Sequence, residues 1–157
     1  MRLTILFLMA TGLMFGQAPD QFAGAGMSWN QYAAPQINGL LVYAKRIAGT
    51  EHPTYSFNAV NILSVTPRPF RLMTTTETGI AQHIGAFGPF TVYGIGTAGL
   101  ATAGEITGTG AGYVLTGGTL ALARIRGGWR AGPYLRVLKS SLSERQWAAG
   151  VLFGWGQ

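Results

Sequence analysis

Five side chains in this sequence have the types and spacing to form a buried charged network: Arg71, Glu77, Arg130, Tyr134 and Arg136. Successive strand residues point to opposite faces, so residues two, four or six apart share one. Arg71 and Glu77 therefore fall on one face of their segment, and Arg130, Tyr134 and Arg136 on one face of another. A guanidinium facing a carboxylate forms a charge-assisted pair. A buried charge needs such a partner, so Glu77 is expected to pair with an arginine across an enclosed interior. The other groups with acid–base chemistry are His52, in Glu51-His52-Pro53, and His83, in Gln82-His83-Ile84. A lone histidine is most often a surface or interface residue. No phosphate-binding loop, nucleophile elbow or metal cluster accompanies either one. With no cysteine, disulfides, thiol catalysis, cysteine-held metals and N-terminal lipidation through Cys are excluded. No catalytic residue, metal or cofactor is expected.

The elements that must position these groups are strands. The clearest is the terminal stretch Gln146–Gln157. Trp147, Ala149, Val151, Phe153 and Trp155 fall on one face; Ala148, Gly150, Leu152, Gly154 and Gly156 fall on the other. Soluble sheets normally put polar groups on their exposed face. Here the bulky apolar face can itself be the outer one, as in a barrel strand facing lipid. Composition agrees: charged residues are 10% and hydrophobic residues 48%, against roughly 25% charged in ordinary soluble domains. Disorder calls for the reverse balance. The net charge of +6 admits anionic partners. The arginines, however, are scattered at strand ends and not clustered with aromatics on a polar face, which argues against nucleic acid.

Met1-Arg2 followed by an apolar run from Leu3 to Phe15 is too short to span a bilayer. With Gly16-Gln17-Ala18 after it, the run reads as a secretory signal peptide over residues 1–18, followed by one domain over 19–157. Pro19 makes the cleavage point awkward.

Seven further strands precede the terminal one. They are expected at Gln21–Tyr32, Ile37–Ile47, Tyr55–Thr66, Phe70–Ile80, Phe90–Ala103, Ala111–Arg126 and Trp129–Lys139. Connections are expected at Ala33–Gln36, Gly49–Thr54, Pro67–Pro69, Gln82–Pro89, Gly104–Gly110, the two-residue hairpin Gly127-Gly128, and Ser140–Arg145. The first, fourth, seventh and eighth strands alternate well. In the third, Tyr55, Phe57, Ala59, Leu63 and Val65 share a face that Asn61 interrupts. A rival reading takes the uncharged, glycine-punctuated run Thr78–Gly104 as packed membrane helices. Pro89, the β-branched residues and the glycines themselves make that a poor helix.

The eight strands and the terminal segment resemble the small eight-stranded outer-membrane β-barrels, such as the transmembrane domain of outer-membrane protein A. The resemblance covers about Gln21–Gln157. It implies an all-β, eight-stranded, antiparallel, up-and-down transmembrane barrel, exported to the outer membrane of a Gram-negative-type bacterium. Members commonly end in an aromatic residue that the outer-membrane assembly machinery reads together with preceding alternate positions. Trp155, Phe153 and Val151 match that spacing and, with Trp147, are expected to face lipid; Gly156 and Gln157 follow, a departure from the pattern. Long surface loops are usual in the family and absent here, which argues against a receptor or adhesin. Lipid A deacylases of this architecture use a His, Ser and carboxylate set, and neither His52 nor His83 has a serine so arranged. An eight-stranded barrel is just wide enough to be filled by its own side chains. The function implied is a structural or modest permeability role without catalysis. Arg68, Lys139 and Arg145 are expected along one rim, near anionic lipid or lipopolysaccharide. The alternative is a soluble secreted β-barrel whose aromatic faces line a cavity for a hydrophobic ligand.

Overall fold

The computed structural model describes residues 19–30, 38–67, 70–105 and 108–157. The expected leader, residues 1–18, lies outside them, as does Arg68. Eight strands follow in order: β1 Gln21–Asn30, β2 Asn38–Arg46, β3 Thr54–Pro67, β4 Phe70–Phe87, β5 Phe90–Glu105, β6 Gly108–Arg124, β7 Trp129–Ser140 and β8 Gln146–Gly156. Each pairs antiparallel with the next, and β8 returns to pair with β1, closing the barrel. Both ends of the described chain meet at that seam, where Gln21 and Gln157 exchange backbone hydrogen bonds.

The register fixes the tilt. Starting at Asp20, whose carbonyl accepts from the Arg46 amide, the perpendicular row passes through Tyr55, Ala81, Ile95, Gly118, Arg136 and Ala148. It re-enters β1 at Asn30, a stagger of 30 − 20 = 10 residues. Ten residues at roughly 3.3 Å, against eight strands at roughly 4.8 Å, give a strand tilt of about 40°. Every perpendicular row therefore drops away from the termini as it runs from β2 towards β8.

Alternation sorts the side chains. Trp29, Leu135, Phe153 and Trp155 point outward, with 62%, 50%, 49% and 38% of their surface exposed. The inward face carries two apolar clusters. One, nearer the termini, includes Phe22, Val42, Tyr55, Phe57, Tyr93, Leu122 and Leu152. The other, nearer the far end, includes Leu63, Met73, Val114 and Leu138. The face that Asn61 interrupts, Tyr55 to Leu63, is thus the inner one.

Inward glycines allow close backbone approach. A Cβ on Gly79 would lie 2.0 Å from the Gly96 carbonyl oxygen, and one on Gly99 would lie 2.0 Å from that of Thr76. On the outer face, a Cβ on Gly96 or Gly117 would meet nothing within 4 Å.

Three boundaries differ from expectation. The turn expected at Gln82–Pro89 is mostly ladder: β4 continues to Phe87, and only Gly88 and Pro89 connect it to β5. A bulge between His83 and Gly85 absorbs the irregularity that made the segment look like a turn. Gly88, at φ +55°, provides the reversal. The loop expected at Gly104–Gly110 is also largely paired, with Ala103 opposite Gly110 and Gly104 opposite Thr109. The ladder uses main-chain groups, which glycine keeps. In place of a two-residue Gly127-Gly128 hairpin, residues 125–128 form the β6–β7 turn. The Trp129 amide donates to the Arg126 carbonyl, and Gly127 is left-handed at φ +58°. Thr78–Gly104, the candidate for helices, lies within β4, its turn and β5. No helix among the described residues is long and apolar enough to cross a membrane, which says nothing about strands.

Candidate functional site in the barrel lumen

Between the two apolar clusters sits a polar layer built by β3, β4, β5 and β7. β4 brings Glu77 inward beside Thr75, and β7 brings Arg136 from the opposite wall. One Arg136 terminal nitrogen, Nη2, donates to Glu77 Oε2 at 2.7 Å, and Nη1 donates to Asn61 Oδ1. Asn61 Nδ2 donates to Glu77 Oε1 and to Thr75 Oγ1, each at 2.7 Å. The Thr75 hydroxyl donates to Glu77 Oε1 at 2.7 Å, and the Thr97 hydroxyl to Oε2. The carboxylate thus accepts four hydrogen bonds, one of them an ion pair. Only 2% of the Arg136 side chain and none of the Glu77 side chain is exposed. Such an arrangement holds its charges in place.

The remaining expected network residues are placed elsewhere. Tyr134 is buried within the apolar cluster nearer the termini. Arg130 is buried at that end of β7, where it lines the barrel mouth. Arg71 pairs through its backbone with Thr66, beyond a register shift at Ser64–Thr66, and its side chain lies outside the described residues. His52 is exposed in the β2–β3 turn, while His83 meets the Tyr93 ring edge-on at 6.0 Å. Sequence reasoning missed Asn61, Thr75 and Thr97 as partners of Glu77. Asn61 carried a signal as the polar break in an otherwise apolar face; Thr75 carried one as an inward residue two places from Glu77.

The mouth at the termini is a basic cup. A cavity of about 1010 Å³ is lined by Arg46, Arg124 and Arg130, with Asp20 beside them. Beneath it Phe22, Tyr55, Phe57, Tyr93 and Leu122 leave only about 20 Å³. The hydrophobic-ligand alternative required aromatic faces around a cavity. The bulky faces of β1, β7 and β8 point outward, and the cavity among these inner apolar residues is about 20 Å³.

Outside, Trp147, Val151, Phe153 and Trp155 project from β8, and Trp129 stacks on Phe153 with ring centroids 4.8 Å apart. Trp129, Trp155 and Tyr43 lie towards the terminal end, and Trp29, Trp147 and Tyr113 towards the other. Lys139 and Arg145 are exposed at the far end, with Lys45, Arg46, Arg124 and Arg126 at the end near the termini.

No family model and no curated protein matches the chain. Among solved structures it is similar to a major outer membrane protein from Thermus thermophilus. The TM-score is 0.54 at 10% identity, covering 88% of this chain and 100% of that one. This chain is an eight-stranded antiparallel β-barrel, similar in fold to an outer-membrane protein.

Proposed function

We propose that the protein spans an outer membrane as a small, non-enzymatic barrel with a sealed lumen and a structural role. The carrying observation is the outward, uncharged apolar belt. Met27, Leu41, Val60, Ile80, Leu100, Leu115, Leu135 and Val151 all face away from the axis. In water this surface would associate; in acyl chains it is solvated. Trp147 and Trp155 are 155 − 147 = 8 residues apart on β8, about 26 Å along the strand and about 20 Å along the axis. That approaches the roughly 25 Å apolar band between aromatic girdles of membrane barrels.

Export by the leader at residues 1–18 belongs to this reading. So does insertion by assembly machinery that reads Val151, Phe153 and Trp155. Lys139 and Arg145 contact anionic lipid or lipopolysaccharide at the far rim. The packed lumen favours the structural role over permeability. Extraction of membranes with alkaline carbonate tests the reading: the protein stays with the membrane, and its gel mobility changes on boiling. Release into the supernatant refutes it. Planar-bilayer recordings of the refolded chain test the seal, with a flat baseline expected and steady conductance refuting it.

A further inference from the structure

The outer surface is uneven. The wall made by β7, β8 and β1 carries large side chains. Across β3–β5, among larger outward residues such as Val60, Ile80 and Leu100, one patch is small: Asn58, Thr76, Thr78, Gly96 and Ala98. Between the row Leu41–Val60–Thr76–Leu100 and the row Tyr43–Asn58–Thr78–Ala98 lies a groove of about 470 Å³. Because rows drop away from the termini on going from β2 to β5, the groove is a diagonal. Its upper end lies at Tyr43 near the terminal rim, and its lower end is at Leu100, deep in the apolar belt.

The upper end is basic. Lys45 follows Tyr43 on the same outward face of β2; Arg46 is next, on the alternate face at the rim, where it also lines the lumen mouth. A second cavity, of about 440 Å³, opens there against Lys45, Arg46 and the β2–β3 turn. Asp20 lies 3.6 Å from Arg46, but the two side chains are 83% and 43% exposed, and so open a pair holds little. Glu51 is the acidic group of the β2–β3 turn itself. A rim cavity with two basic groups, two residues beyond the Tyr43 end of an apolar diagonal, matches one amphiphile in one orientation.

We infer that this face is a binding site for a single anionic phospholipid, its phosphate on Lys45 and Arg46 and one acyl chain in the Tyr43–Leu100 groove. This rests on the membrane-spanning reading. A larger substituent at Thr76, Thr78 or Ala98 would displace the chain. A basic group near anionic lipid favours binding by about 1 kcal/mol, or about fivefold.

Native mass spectrometry of the refolded full chain in neutral detergent tests this, with phosphatidylglycerol, phosphatidylcholine of the same chains, and inorganic phosphate as probes. One retained phosphatidylglycerol is expected, preferred about 25-fold over phosphatidylcholine from two basic groups. Lys45→Gln weakens it about fivefold. Ala98→Trp, which fills the groove with an outward apolar side chain, abolishes retention, and Thr78→Leu does so if the tryptophan variant fails to fold. Arg126→Gln, on the opposite side of the same rim, leaves it unchanged. Equal retention of both lipids, indifference to Lys45→Gln or to groove filling, displacement by phosphate alone, or a dimer in place of the adduct overturns the inference. Carbonate extraction of the same proteins separates the two failures. A chain that stays integral without lipid preference refutes only the site, whereas one that washes out refutes the membrane reading as well.

Discussion

Replacing Glu77 with alanine would leave Arg136 buried with Asn61 as its remaining described partner. The pair is 2% and 0% exposed at the side chains, so water does not readily take the place of the carboxylate. Removing one member of a buried pair costs about 3–5 kcal/mol. Thr75, Thr97 and Asn61 each also lose an acceptor, at about 1 kcal/mol or more apiece where nothing replaces it. A loss of about 4 kcal/mol is a large part of the roughly 5–15 kcal/mol that holds a typical domain. Removing both charges together, as Glu77→Leu with Arg136→Met, is expected to cost much less, since apolar replacement of a buried pair is often neutral. Urea unfolding of the wild type, Glu77→Leu, Arg136→Met and the double variant, refolded in one detergent and followed by tryptophan fluorescence, gives the four corners of a double-mutant cycle. The expected coupling is at least about 2 kcal/mol, within the range for contacting residues. A Glu77→Ala cost below about 1 kcal/mol, or additive single losses, would show that the polar layer contributes no more than an exposed pair.

Gly79→Ala and Gly99→Ala should each destabilise by about 1–3 kcal/mol through overpacking, while Gly96→Ala and Gly117→Ala stay within about 0.5 kcal/mol. Equal effects in the same titration would remove the close-approach explanation. Leu135→Arg, near mid-belt, should cost about 2–4 kcal/mol in bilayers, and Trp155→Arg at the rim about 0–1 kcal/mol from the charge alone. A reversed order of folding yields into vesicles would place the bilayer elsewhere. Truncating Phe153 and Trp155 to alanine should slow insertion by purified assembly machinery more than spontaneous folding into detergent; equal slowing would mean that the residues serve packing and not recognition.

Where one face is bulky and the other bare, the faces were legible in the sequence. Trp147 to Trp155 and Trp129 to Val137 alternate without a break, and both runs face outward. β2 and β3 were blurred because the filled barrel needs apolar groups on both faces: Leu40 and Val42 inside, Leu41 and Tyr43 outside. Turn chemistry misled at His83–Gly85 and Gly104–Gly110, because glycine within a ladder looks like glycine in a loop. The Glu77–Arg136 pair joins residues 59 apart in sequence. Strand periodicity places each on an inner face, but the barrel stagger decides which arginine reaches the carboxylate. Register between distant strands leaves no local signature.

The seam between β1 and β8 bears on how the molecule can form. Until β8 pairs with β1, every partial sheet has two raw margins of unmet amides and carbonyls. Hydrocarbon cannot solvate them, and another chain can pair with them. A half-built sheet is therefore a poor membrane resident and a ready template for aggregation. If the barrel spans a membrane as proposed, insertion and circularisation should be one concerted event, and any agent that delays β8 should divert chains to aggregates without accumulating a stable, open intermediate.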